Sequence, residues 1–265
     1  MSLVKTSSAL AEDLRLGRLQ VPLVIHMALQ DVRVKYARTV LGPFWITITL
    51  GMYVLAMAFV FGGLFNTPLA LLLPWVTLGL ITFSYISNIM MESSTVLINN
   101  KGILLQTRMS FAIWVVFVTL RNMLVAAHHL VVFIGVVILL RLEISLTWLL
   151  FIPGAMIITA FAFGIGLIAA IASARFRDLP PLIINLYTVG LLAVPVLWRP
   201  DDLQRYRGIA DYNPVTYLMA VVREPLLGQV PAQSTYGIAI VSAAVAVSLS
   251  LLLLAFTRRR IMLWL

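Results

Sequence analysis

The chain contains no cysteine and only three histidines and ten acidic residues among its 265. Without cysteine there is no disulfide, no thiolate metal site and no cysteine nucleophile. Three histidines leave little for a metal centre, and none is expected. Charge is scarce as well. Charged residues make up 11% of the chain and apolar residues 62%, where soluble domains carry about 25% and about 45–50%. A chain of this composition has too few polar groups to cover a surface that faces water.

Chemical motifs are also missing. No G-x-x-x-x-G-K-[ST] loop is present, so the chain does not bind ATP in the P-loop manner. No H-E-x-x-H or G-x-S-x-G motif marks a catalytic centre. No pair of acids lies within an apolar run, which argues against a carboxylate proton relay. No catalytic residue and no cofactor bound by this chain are expected. Residues 1–20 mix Lys5, Glu12, Asp13, Arg15 and Arg18 and lack the apolar core of a cleavable signal. The N-terminus is therefore expected to stay in the cytoplasm.

What the chain does have is long apolar runs, each near the roughly 20 residues a helix needs to cross a bilayer. They predict spans at residues 44–65, 69–91, 111–140, 146–174, 182–197 and 236–256. The predicted fold is all-α integral membrane, with six transmembrane helices. Residues 22–38 read as an amphipathic helix, with Ile25, Leu29, Val32 and Tyr36 on one face and Pro22 in its first turn. Basic residues flank that stripe. This pattern fits a helix lying in the membrane interface, or an ordinary solvated helix. The expected division is 1–43, a cytoplasmic segment with the interface helix, and 44–265, the membrane domain. Between spans five and six, Asn213-Pro214 and Arg223-Glu224-Pro225 predict short helices broken by turns. These fit re-entry into the membrane beside protein or a water-filled cavity.

The net charge of +9 would point to nucleic acid in a soluble protein. Here it is read as basic loops facing anionic lipid, with no nucleic-acid partner. With both ends inside, thirteen Lys and Arg fall on the inner side and five on the outer. The expected location is a bacterial inner membrane, both termini cytoplasmic.

Several polar positions stand out. Arg121 lies within a predicted span, followed by Asn122, His128 and His129. It reads either as a path-lining cation or as an interfacial one that snorkels. Thr77, Ser84 and Asn88 align along span two, with Tyr85 beside them. They read as a hydrophilic path or as helix-packing positions. Small residues at Ala160, Ala162, Gly164 and Gly166, and at Ser242, Ala246 and Ser250, read as close-packing faces. The outer aromatics fit an interfacial belt or a stacking platform for sugar rings.

Four stretches carry a family resemblance: residues 31–36 with 39–45, Arg175-Phe176-Arg177-Asp178-Leu179, Pro195 with Asn213-Pro214, and residues 223–228. In their order and spacing they resemble the ABC-2 type permeases that export polysaccharide, over most of residues 25–260. The resemblance implies a homodimer docked to two copies of a separate ATPase subunit, which would hold ATP and Mg. It implies a lipid-linked polysaccharide cargo, first O-antigen, then capsule or teichoic acid. It places Arg33, Lys35 and Arg38 at lipid pyrophosphate or the interface. It assigns ATPase coupling to Asn99, Asn100, Lys101, Gly102, Arg175, Arg177 and Asp178. The glycan path would take Trp75, Thr77, Ser84, Tyr85, Asn88 and Tyr187. A stand-alone enzyme acting on lipid-linked sugars is the alternative from another class, and a passive channel is a third.

Overall fold

The computed structural model describes residues 3–37, 39–107, 109–200 and 207–265, and among them holds helices and no strand. The first helix, α1 (Leu3–Tyr36), differs from expectation. It is one continuous helix that carries Pro22 in its interior rather than its first turn. Residues expected as a separate surface segment are its N-terminal half. Tertiary anchoring outweighs the lost backbone bond at Pro22, because Asp13 is tied to two other helices (below). The stripe that packs on the bundle also differs, since Val24, Ala28 and Val32 are buried while Ile25 and Leu29 are 44% and 40% exposed. Of the predicted face, Val32 points at protein, and the Tyr36 side chain lies outside what is described. Ile25 and Leu29 lie on the outward side with Leu19, Leu23 and Val34.

Gly42 turns the chain at φ +56, and α2 (Phe44–Phe65) follows. Asn66, in the left-handed region, closes α2 and leads directly into α3 (Leu69–Asn99). The span expected to stop near residue 91 thus continues as helix to 99. The polar stretch beyond the apolar run keeps its helical bonds because α5 and α6 still flank it. A short helix, α4 (Lys101–Gln106), precedes α5 (Phe111–Leu140). Ser110 caps α5 by accepting from the Ile113 N–H. A 3-10 turn (Leu146–Leu150) runs into α6 (Phe151–Arg175).

The fifth predicted span, 182–197, is found displaced toward the N-terminus. Helix α7 (Leu179–Ala193) has 15 residues, about 22 Å at helical rise, against about 30 Å of hydrocarbon. Residues 194–198 follow as buried, non-helical backbone. Pro195 accounts for the stop, since the residue before a proline is pushed out of the helical region; Val194 is extended at ψ 144. The structure therefore has five helices long and apolar enough to cross a membrane, and α7 as a shorter apolar one. After α8 (Arg207–Asp211), Asn213 accepts from the Val215 N–H and starts α9 (Pro214–Leu226). Pro225 sits in the last turn of α9, so the predicted breaks at 223–225 merge into one helix end. Helix α10 (Gln233–Trp264) completes the chain.

The bundle is organised around α3 and α6. In α3, 67% of the most apolar stretch is buried, against 17% in α2 and in α5, so those two keep lipid-facing surfaces. Glycine permits the closest approach. A Cβ on Gly164 would lie 2.6 Å from the Ala246 carbonyl carbon, so α6 and α10 touch backbone to backbone. The packing faces expected on α6 and α10 are present, except that Ser242 turns away from the buried line of Ala239, Ala243, Ala246 and Ser250.

Candidate functional site

Two regions bring the candidate residues together. The first is a polar stripe on α3. From Val76 to Ile89 the only residues not buried are Ser84 and Asn88, one helical turn apart. An otherwise apolar, enclosed helix thus presents its one opening through two polar side chains. Aromatics flank it. Phe83, next to Ser84 in the chain, stacks on Tyr187 of α7 with ring centroids 5.5 Å apart. Both α2 and α7 pack on α3.

The other expected path residues sit elsewhere. Thr77 is sealed and donates to the Leu73 carbonyl of its own helix at 2.6 Å. Tyr85 points the other way, to Thr159 of α6 at 3.0 Å. Thr82, Tyr85 and Thr159 are the hydroxyl-bearing residues lining an apolar cavity of about 200 Å³ bounded by Met123, Ala126 and Phe151. Trp75 donates to the Trp198 carbonyl at 3.1 Å and lies under the guanidinium of Arg223. Of the residues assigned to the glycan path, Ser84 and Asn88 share one face of α3, and Tyr187 stacks on their neighbour Phe83.

The second region is the end of the bundle that gathers the start of α5 and the ends of α3, α6 and α10. Asn99, Lys101 and Gly102 are exposed there, and Asn100 donates its amide to the Val96 carbonyl at 2.8 Å. Arg175, Arg177 and Asp178 are exposed at the α6–α7 turn. Arg177 donates to the Trp264 carbonyl at 3.0 Å, and Arg175 lies 5.7 Å over the Trp264 ring. The turn is thereby joined to the chain's last residues. A cleft of about 290 Å³ adjoins α4, with Leu16, Thr107, Arg258 and Arg259 in its wall. Arg33 and Lys35 are exposed on α1; Arg38 lies outside the described residues.

Two ion-pair networks fasten α1 across this end, and neither was anticipated. Asp13 is fully buried. It accepts from Ser110 Oγ at 2.5 Å, from the Phe111 N–H at 3.3 Å and from Arg258 Nε at 3.1 Å. Arg121 pairs with Asp31 at 2.8 Å and Glu92 at 2.6 Å, and Asn122 donates to the same Glu92 at 2.5 Å. Arg121 is thus an ion-paired cation at the level of α1, not an uncompensated charge in lipid. The three partners are far apart in sequence, so only the fold reveals them.

Among the described residues, five helices long and apolar enough to cross a membrane mark a membrane protein. The ABC-2 type transporter family matches residues 23–227, and the chain belongs to that family. A comparison with curated proteins returned no match. The chain is accordingly the transmembrane component of an ABC transporter, a class driven by an ATPase partner.

Proposed function

We propose that this chain is the permease half of an ATP-driven exporter of a lipid-linked polysaccharide, with O-antigen as the first candidate and capsule or teichoic acid as alternatives. The observation that carries the reading is the pair Ser84 and Asn88, the two incompletely buried residues between Val76 and Ile89 of α3, beside the Phe83–Tyr187 stack. A hydrated sugar chain needs hydroxyl- and amide-bearing side chains for its polar edges and aromatic rings for its apolar faces. It also needs protection from lipid. A second copy laid over this stripe would supply that protection. We therefore infer a homodimer with the path between its subunits.

In this reading α7 and residues 194–198 together complete a sixth crossing, and α9 is the re-entrant element near the outer mouth. Both termini are cytoplasmic, in a bacterial inner membrane. Lys101, Arg175, Arg177 and Asp178, with their neighbours 99, 100 and 102, form the surface for two ATPase subunits that carry ATP and Mg. Arg33, Lys35 and Arg38 meet the lipid pyrophosphate of an undecaprenyl-type carrier at the cytoplasmic interface.

The test is export in cells lacking the endogenous chain. Wild type and Ser84→Leu/Asn88→Leu are expressed at equal levels, and surface glycan is compared with the cytoplasmic lipid-linked pool. The reading expects the double variant to lose surface glycan and accumulate the lipid-linked form. Unchanged export at equal expression would remove the stripe from the path.

A further inference from the structure

Arg223 is 3% exposed, one of the most enclosed cations in the chain. Its guanidinium carbon lies 3.9 Å from the centre of the Trp75 ring. Its Nε and Nη2 are buried and meet no hydrogen-bond acceptor. Among the described residues no carboxylate pairs with it; even Glu224, next in the chain, forms no ion pair. A second guanidinium, Arg199, sits 5.8 Å over the same Trp75 ring.

This arrangement is costly as it stands. A buried charge with no ion-pair partner is costly, and a stacked indole offsets only part of that cost. The two unsatisfied atoms matter more than the total. Nε and Nη2 are the two donors along one edge of the guanidinium plane. That edge fits two oxygens of a carboxylate or phosphate in parallel. That edge is packed against α3: a Cβ on Gly79 would sit 2.5 Å from Nη2 and 3.0 Å from the Val196 carbonyl oxygen. Any larger residue at 79 would push the guanidinium or residue 196 aside, and an oxyanion reaches the edge only once its cover moves. Residues 194–198 close over the site, held by the Trp75–Trp198 bond.

We propose that Arg223, backed by Trp75 and Arg199, is a binding site for an oxyanion, a phosphate or carboxylate group gripped bidentately through Nε and Nη2. The site opens when residues 194–198 lift from α3. The oxyanion comes either from a transported molecule or from a lipid headgroup, and its chemistry is the same in both. The inference does not rest on the glycan assignment.

The test uses the full chain in an alkyl maltoside detergent, which carries no oxyanion. Inorganic pyrophosphate and short-chain phosphatidylglycerol are titrated separately, and binding is read as a rise in unfolding midpoint. Stabilisation by pyrophosphate that is lost in Arg223→Gln supports the site with a soluble or cargo source. Stabilisation by phosphatidylglycerol alone, again lost in Arg223→Gln, supports it with a lipid source. Arg223→Lys keeps the charge without the two-donor edge, and guards against a glutamine variant that fails to fold. It should bind about tenfold or more weakly, the loss of one charge-assisted hydrogen bond. Equal response in wild type and Arg223→Lys, or no response to either probe, overturns the proposal.

Discussion

Removing the Asp13 carboxylate should release α1 from the bundle. Asp13 is fully buried and accepts from Ser110, Phe111 and Arg258. In Asp13→Ala the Phe111 N–H loses an acceptor and Arg258, 18% exposed in its side chain, loses its counter-charge. Breaking a buried pair from one side costs about 3–5 kcal/mol. Arg258 lies near a helix end where water can reach it, so about 3 kcal/mol is the expected loss. Arg258→Met should cost less, because Asp13 keeps two donors. The double variant should recover about 2 kcal/mol relative to additivity, the mark of a direct coupling. The assay is unfolding of the four proteins in nanodiscs, with hydrogen exchange along residues 3–36 as a local readout. Exchange should rise across α1 in Asp13→Ala and fall back in the double variant. Losses that add to within about 0.5 kcal/mol, with protected α1 amides, would refute the anchoring argument.

Other outcomes follow from the same geometry. Arg121→Leu strands Asp31 and Glu92; since both carboxylates are more than a third exposed, solvent screening should hold the loss to about 1–2 kcal/mol, measured as faster exchange in α1 near residue 31. Gly164→Leu should abolish the folded protein in a detergent-solubility assay, because the new Cβ meets Ala246 and Val247 backbone. Gly135→Ala, on the same chain and with open space around it, should be neutral or stabilise α5 by about 0.5–1 kcal/mol, read as an unchanged or higher unfolding midpoint. Tyr187→Ala should weaken export while the fold holds, since it removes one face of a partly exposed stack.

Much of the fold was legible because bilayer solvation writes itself into composition. The spans 44–65 and 111–140 coincide with α2 and α5 to the residue. Turn chemistry marked others: Asn213-Pro214 starts α9 and Asn66 ends α2. Hydropathy misplaced the boundaries where a helix outruns its apolar stretch, as at 91–99 in α3 and at both ends of α10. It also displaced α7, which starts three residues before the predicted span and stops at Ala193, where Pro195 forces extended backbone although the apolar run continues. Pairings between distant residues were not legible at all. Asp13 with Arg258, or Arg121 with Asp31 and Glu92, leave no local pattern. Of the candidate path, Ser84 and Asn88 were visible through helical spacing. The Phe83–Tyr187 stack beside them required knowing that α7 packs on α3.

The central claim is that this chain couples an ATPase to the movement of a lipid-linked glycan. The direct measurement is ATP hydrolysis by the chain reconstituted with its candidate ATPase subunit, with and without lipid-linked glycan, in wild type and Lys101→Glu. The account predicts a stable complex whose hydrolysis responds to the glycan, and a weakened response when the charge at 101 is reversed. A chain that binds no ATPase and by itself processes a lipid-linked sugar would contradict it.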